Sequence, residues 1–121
     1  MRRYLTLSEA KLALNRGKNI EQFLGGYLVG TTLAIRYVVI RSDGERLIAN
    51  VFECFEPEHS GFYDVGEFQN VEPDIDPEDF AFDSLEEAIS FLKFRNGIDA
   101  NKFVNQGLVC EEYKDYQLAK S

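Results

Sequence analysis

The chain has 121 residues with 13 Lys and Arg against 21 Asp and Glu, which gives a formal net charge of −8. Its 45% hydrophobic residues, among them 10 Phe and 6 Tyr, exclude an intrinsically disordered chain and suggest one domain. The negative charge argues against direct binding to the phosphates of nucleic acid. No apolar run approaches the length of a membrane span, the first residues lack the apolar core of a secretion signal, and two cysteines are too few for a disulfide framework. We therefore expect a cytoplasmic protein with free thiols and no membrane contact.

The amino-terminal part predicts helical structure over residues 8–24. Ser8 is a suitable N-cap, and small and apolar residues follow it at helical spacing. Gly17 is expected to end this helix in a left-handed conformation. The apolar residues within 20–24 then predict a second, short helical turn.

The central part predicts a β-hairpin with strands at about 31–41 and 46–56. Both segments are rich in β-branched and aromatic residues, and Asp43-Gly44 between them is a turn signal. Both faces of the strands are largely apolar, and Arg36 interrupts one of them. We therefore expect strands covered on both sides, at least in part.

The carboxyl-terminal half predicts five further segments. A weak alternation near 62–68 suggests a third strand, whereas prolines within 71–79 require an acidic loop. A capping box at Ser84 begins a helix over 84–96, in which Phe91 and Phe94 are expected to widen the buried stripe. A short helix is expected over 99–106. Residues 108–113 are interpreted as a last strand, although their spacing also fits a helix.

These elements predict an α+β fold in a single domain over residues 1–121. A mainly antiparallel sheet is built on the central hairpin, and helices near 8–24 and 84–96 pack on it.

Charge is distributed unevenly along the chain. Residues 1–50 carry a net +4 and residues 51–121 a net −12, and the segment 51–87 holds thirteen carboxylates with no Lys or Arg. One interpretation is a solvated acidic face, and the other is a surface for a basic partner. The basic residues of the first half are expected to pair with acids elsewhere in the fold: Arg2, Arg3, Lys11, Arg16 and Lys18.

The sequence offers no residues for a recognisable catalytic or metal site. Neither register of the acidic loop places Gly and Glu where a calcium loop needs them, and two cysteines with one histidine match no zinc pattern. His59 lies in a loop between Glu58 and Ser60, where a solvated histidine is the more common outcome. We predict no catalytic residue, no metal and no cofactor.

We therefore expect a non-enzymatic acidic module that binds a basic protein. One concrete version is an immunity or inhibitor protein that neutralises a basic, nuclease-type toxin through its acidic 53–87 surface. One alternative is a structural protein that forms a homodimer by pairing of a sheet edge at residues 31–37. Another is a small-ligand binder or enzyme in which Tyr37, Tyr63, His59 and nearby acids line a pocket. The predicted partner-binding residues are Glu72, Asp74, Asp76, Glu78 and Asp79, with Phe80 and Phe82 as aromatic anchors.

Overall fold

The computed structural model describes residues 3–57 and 61–120, which form three helices, a five-stranded antiparallel sheet and one 3-10 turn. The sheet order is β4-β3-β2-β1-β5. This architecture confirms the predicted α+β fold class. The elements are α1 (Leu7–Asn15), β1 (Ile20–Val29), β2 (Thr32–Asp43), β3 (Arg46–Phe55), the 3-10 turn (Val65–Glu67), β4 (Phe80–Phe82), α2 (Leu85–Asn96), β5 (Val104–Asn105) and α3 (Val109–Lys120).

The predicted central hairpin is confirmed as β2 and β3. Their register runs without interruption from Asp43↔Arg46 at the turn to Ala34↔Phe55 at the far end. Gly44 has φ +66°, a left-handed conformation that glycine adopts without a steric penalty. The turn chemistry therefore selects the register of the two longest paired strands.

Helices and loops cover both faces of the sheet, as the two apolar faces of the hairpin predicted. One face, which we call the α1/α2 face, buries Val38 and Ile40 beneath α1 and α2. The opposite α3 face buries Ile35 and Tyr37 beneath α3 and the 3-10 turn. Cys54 is a buried free thiol in this second core.

The helical prediction for residues 8–24 is correct for its first half and wrong for its second. α1 begins after an N-cap at Thr6 instead of Ser8 and ends before Gly17, which has φ +79°. Residues 20–29 form β1 instead of a helical turn, because they pair along β2 from Ile20↔Ile40 to Val29↔Thr32. Backbone pairing to a long neighbour outweighs a few apolar residues at helical spacing.

Three predictions in the second half are also wrong. The expected strand at 62–68 is a loop with a 3-10 turn, and the expected helix at 99–106 is a turn followed by β5. The expected strand at 108–113 is the first part of α3, the alternative that the spacing allowed. The segment 71–79 is irregular as predicted, and we call it the acidic loop.

The helix predicted at 84–96 is confirmed as α2. Ser84 accepts a hydrogen bond from the Glu87 amide, and Gly97 ends the helix with φ +71°. Leu85, Ala88 and Leu92 form its buried stripe. Phe94 does not widen that stripe as expected, since it is 95% exposed.

Two of the amino-terminal basic residues pair with acids, in agreement with expectation. Arg3 donates to Glu112 and Asp115 at 2.6 Å each, and Lys11 pairs with Glu86. Arg2 lies outside the described residues, whereas Arg16 and Lys18 border a shallow hollow beside α1.

The prediction that residues 31–37 form an edge of the sheet is wrong. These residues belong to β2 and the turn before it, and β2 lies in the interior of the sheet between β1 and β3.

No helix within residues 3–57 and 61–120 is long and apolar enough to cross a membrane.

Candidate functional site

A groove of about 280 Å³ lies between β3, the acidic loop, β4 and the last turn of α2. We call it the acidic groove, since four carboxylates line it: Glu53, Glu72, Asp76 and Glu78. Its apolar lining consists of Val51, Val71, Ile75, Pro77 and Phe80, and Asn70 and Arg95 complete it. The groove therefore combines negative charge with apolar contact area.

Three of the four carboxylates are unpaired. Within the described residues, Glu72, Asp76 and Glu78 have no ion-pair or hydrogen-bond partner for their side chains. The acids that flank the groove behave differently, because Asp79 pairs with Arg41 at 3.6 Å and Asp83 pairs with Arg46 at 3.4 Å. The groove thus keeps three unneutralised carboxylates, and within the described residues Asp74 of the same loop is unpaired as well.

The fourth carboxylate, Glu53, belongs to a polar strip that crosses three strands. Glu53 lies opposite Arg36 in the β2–β3 register, with the Arg36 Nε 3.5 Å from a Glu53 oxygen. Tyr27 on β1 donates its hydroxyl to Glu53, and the Arg36 guanidinium lies 4.5 Å from the centre of the Tyr27 ring. Burial and then the hydrogen bond to Glu53 raise the pKa of Tyr27 to about 12, so this phenol stays neutral. Glu53 is consequently a paired acid that is less free for a ligand than the other three.

Aromatic and cationic groups form the wall of the groove at α2. The Arg95 guanidinium lies 4.6 Å from the centre of the Phe80 ring, a cation–π contact. Phe80 also contacts Phe91, with ring centres 5.1 Å apart. Arg95 forms no ion pair with any carboxylate of residues 3–57 and 61–120, and it is the sole cation lining the groove against four acids.

A buried amide holds the carboxyl-terminal end of the acidic loop on the sheet. Asn50 is 8% exposed, and its Nδ2 donates to the Glu78 carbonyl oxygen at 3.0 Å and to the Asp79 carboxylate. The other end of the loop is held by the Val71 amide, which donates to the Glu53 carbonyl oxygen at 3.0 Å. Because both ends are fixed to β3, an irregular segment with two prolines keeps a defined position.

The structure brings together four of the seven predicted binding residues. Glu72, Asp76, Glu78 and Phe80 line one groove. The remaining three do not line it: Asp74 is exposed, Asp79 pairs with Arg41, and Phe82 packs against Phe91 with ring centres 5.4 Å apart. Phe82 is therefore partly buried and packs against the core.

Sequence reasoning missed the residues that other elements bring to the groove. Val51 comes from the predicted hairpin, Asn70 from the loop before the acidic loop, and Arg95 from the end of α2. A cation in the last turn of a helix by itself indicates only an interaction with the final helix carbonyl groups. No local sequence pattern indicates that the carboxyl-terminal end of α2 lies beside Phe80.

Tyr37 and Tyr63, two of the residues considered for a small-ligand site, pack against other aromatic rings. Tyr37 is 7% exposed and stacks on Phe52, and Tyr63 contacts Tyr113 edge to face. His59 lies outside the described residues.

Neither a metal centre nor an activated thiol is present in the part of the chain that the structure describes. No cluster of three or more His, Cys, Asp or Glu side chains there is arranged to hold a metal ion. Burial raises the pKa of both Cys54 and Cys110, which disfavours the thiolate that nucleophilic chemistry needs.

No protein-family model, curated protein or solved structure is significantly similar to this chain. Functional inference therefore rests on the geometry and charge of the acidic groove.

Proposed function

We propose that this chain is a non-enzymatic binding module that receives a basic protein in the acidic groove. The observation that carries the proposal is the set of unpaired carboxylates, Glu72, Asp76 and Glu78, around an apolar lining. Asp79 and Asp83 beside the groove are paired within the fold, whereas these three carboxylates are left for a cation from outside.

The side chains that fit this groove are lysine and arginine. Their aliphatic stems suit contact with Val51, Ile75 and Phe80, while their charged heads reach the carboxylates at the rim. Neutralising the three acids relieves their mutual repulsion. The excess of negative charge also steers a cationic partner toward the groove and speeds association.

The finer version of the proposal is an immunity or inhibitor protein of the cytoplasm. Its partner is a basic, nuclease-type toxin domain, whose active cleft carries cations for a polyanionic substrate. Carboxylates spaced along a loop stand in for phosphates in such a cleft. The small size and net charge of −8 support this version.

The test compares two variants of equal net charge. Glu72→Gln/Asp76→Asn/Glu78→Gln neutralises the groove, and the control neutralises three exposed acids outside it: Glu45→Gln/Glu67→Gln/Glu111→Gln. Both changes take the formal charge from −8 to −5. Affinity and on-rate are measured by surface plasmon resonance, first for arginine-rich and lysine-rich peptides and then for basic proteins captured from host lysate and identified by mass.

We expect the groove variant to lose about tenfold or more in affinity, mainly through a slower on-rate, and to show a flatter salt dependence. The control variant should bind nearly as tightly as the unmodified protein. Equal losses in both variants would show that net charge alone attracts the cation, and the groove would not be the site. A recovered partner without nuclease activity would overturn the toxin version while leaving the basic-partner proposal standing.

A further inference from the structure

One edge of the sheet is left open along most of a strand. β5 pairs with only Ile20 and Glu21 of β1. Along residues 22–29, β1 pairs with β2 on its inner side, and no backbone group of the described residues bonds to its outer side. An open strand edge of this kind is a template for a further strand.

On the opposite side of the sheet, the long strand β3 is covered at both ends, and the edge strand β4 has only three residues. β4 covers β3 at Leu47–Ala49, and residues 69–71 bond to the following part of β3. These bonds include the Phe55 amide to the Gln69 carbonyl oxygen at 2.9 Å. The open stretch of β1, residues 22–29, is therefore longer than the edge strands β4 and β5, which have three and two residues.

The open edge is also the least charged part of the chain. Residues 22–35 form its longest run without Asp, Glu, Lys or Arg, in a protein with a net charge of −8. Proteins usually protect an exposed edge with lysine, proline or a bulge. Of these devices, residues 22–29 have only the irregularity between Phe23 and Gly26, where Gly25 has φ +95°.

Exposed leucines lie beside this edge. Leu28 and Leu33 are direct cross-strand partners at the end of the β1–β2 hairpin, 62% and 46% exposed respectively. Apolar side chains of this size at a hairpin end gain from burial against another sheet.

We propose that two copies of this chain pair through residues 22–29 of β1. A two-fold axis places the two strands antiparallel and joins the two sheets into one, with a contact roughly 26 Å long at about 3.3 Å per residue. A second copy is the favoured occupant because the edge presents no like charges to itself, whereas most other surfaces of two such acidic molecules repel each other. The same lack of acids gives the edge nothing with which to attract the basic partner proposed for the groove.

The test measures solution mass and amide hydrogen exchange from about 1 to about 200 μM protein. We expect a concentration-dependent dimer in which the amides of 22–29 become protected as it forms. Leu28→Lys should weaken this dimer by about tenfold or more. Phe94→Lys is the control, because it makes the same charge change at an exposed apolar residue on α2. A monomer across the whole range, or a dimer whose 22–29 amides exchange as fast as in the monomer, would overturn the proposal.

Salt separates this inference from the groove proposal. Raising the ionic strength screens repulsion between two acidic copies and should strengthen the dimer, whereas it should weaken binding of a basic partner. A dimer that weakens with salt would indicate an electrostatic contact elsewhere and would contradict pairing through the uncharged edge. Either proposal can therefore fail without the other.

Discussion

Glu21 is a buried carboxylate that caps α3 from a distant part of the chain. It is 8% exposed, and a single oxygen accepts from the amides of Gly107 at 2.8 Å and Val109 at 3.2 Å. Burial, the largest influence, raises the pKa of Glu21, while the two amide bonds lower it. Two substitutions of Glu21 separate two contributions to the free energy of unfolding: the gain from its hydrogen bonds to the amides before and within α3, and the loss from burying its negative charge.

Glu21→Ala removes the acceptor for both amides. The Val109 amide lies in a buried contact, and leaving it unpaired costs about 1–3 kcal/mol, whereas the exposed Gly107 amide regains water. We expect a loss of about 2 kcal/mol, which for a domain of this size lowers Tm by about 8 °C. Glu21→Gln keeps an oxygen that can accept both bonds and carries no charge, so we expect it to be at least as stable as the unmodified protein near pH 7.

The pH dependence gives a second test of the same reasoning. A raised pKa means that the native state holds the proton more tightly than the unfolded state. The charge therefore lowers the free energy of unfolding as the pH rises from the unfolded value of about 4.5 through the folded pKa. The free energy of unfolding of Glu21→Gln should therefore rise above that of the unmodified protein across this pH range, and the difference should stay constant at higher pH. Urea unfolding followed by circular dichroism, at pH values from about 4 to about 8, measures this difference. A Gln variant as unstable as the Ala variant at neutral pH would show that the charge stabilises α3 and would refute the argument.

Gly26→Ala would overlap the Tyr116 hydroxyl and should cost about 1–3 kcal/mol in thermal unfolding. Adding Tyr116→Phe should recover part of that loss, and no recovery would contradict the clash. Asn50→Ala should cost about 1 kcal/mol and speed hydrogen exchange chiefly in the acidic loop, whereas a uniform change would show that Asn50 does not hold that loop. Cys54 and Cys110 should react with a disulfide reagent far more slowly in native than in unfolded protein near pH 8, since burial raises the pKa of both thiols. Equal rates would refute their burial.

The acidic groove was only partly predictable. Three of its four carboxylates lie in an acidic loop that two prolines keep irregular, and the sequence analysis proposed those three as partner-binding residues. Which acids stay unpaired depends on where the basic residues of the first half of the chain fall in the fold. Arg41 on β2 pairs with Asp79 and not with Glu78, because Asn50 on β3 holds the Asp79 carboxylate at the end of the acidic loop.

The sequence by itself determined the elements whose turn or cap residues and hydrogen-bonding partners lie close together in the chain. The β2–β3 hairpin follows from two β-rich segments joined at Gly44, and α2 follows from an N-cap at Ser84 and a left-handed Gly97. In these elements the turn or cap residue, the periodicity and the bonding partners all lie within one short segment. The charge asymmetry that favours a basic partner is likewise a property of composition.

Only the tertiary structure decided the identity of β1 and α3 and the assembly of the groove. Residues 20–29 are a strand because β2 supplies the bonding partners for their backbone. Residues 109–120 are a helix whose first amide, that of Val109, donates to Glu21, as does the Gly107 amide just before the helix. Val51, the acidic loop and Arg95 meet only when β3, β4 and α2 are in place. Contacts between residues far apart in the chain outweigh local secondary-structure preference, and such contacts cannot be predicted from a short stretch of sequence.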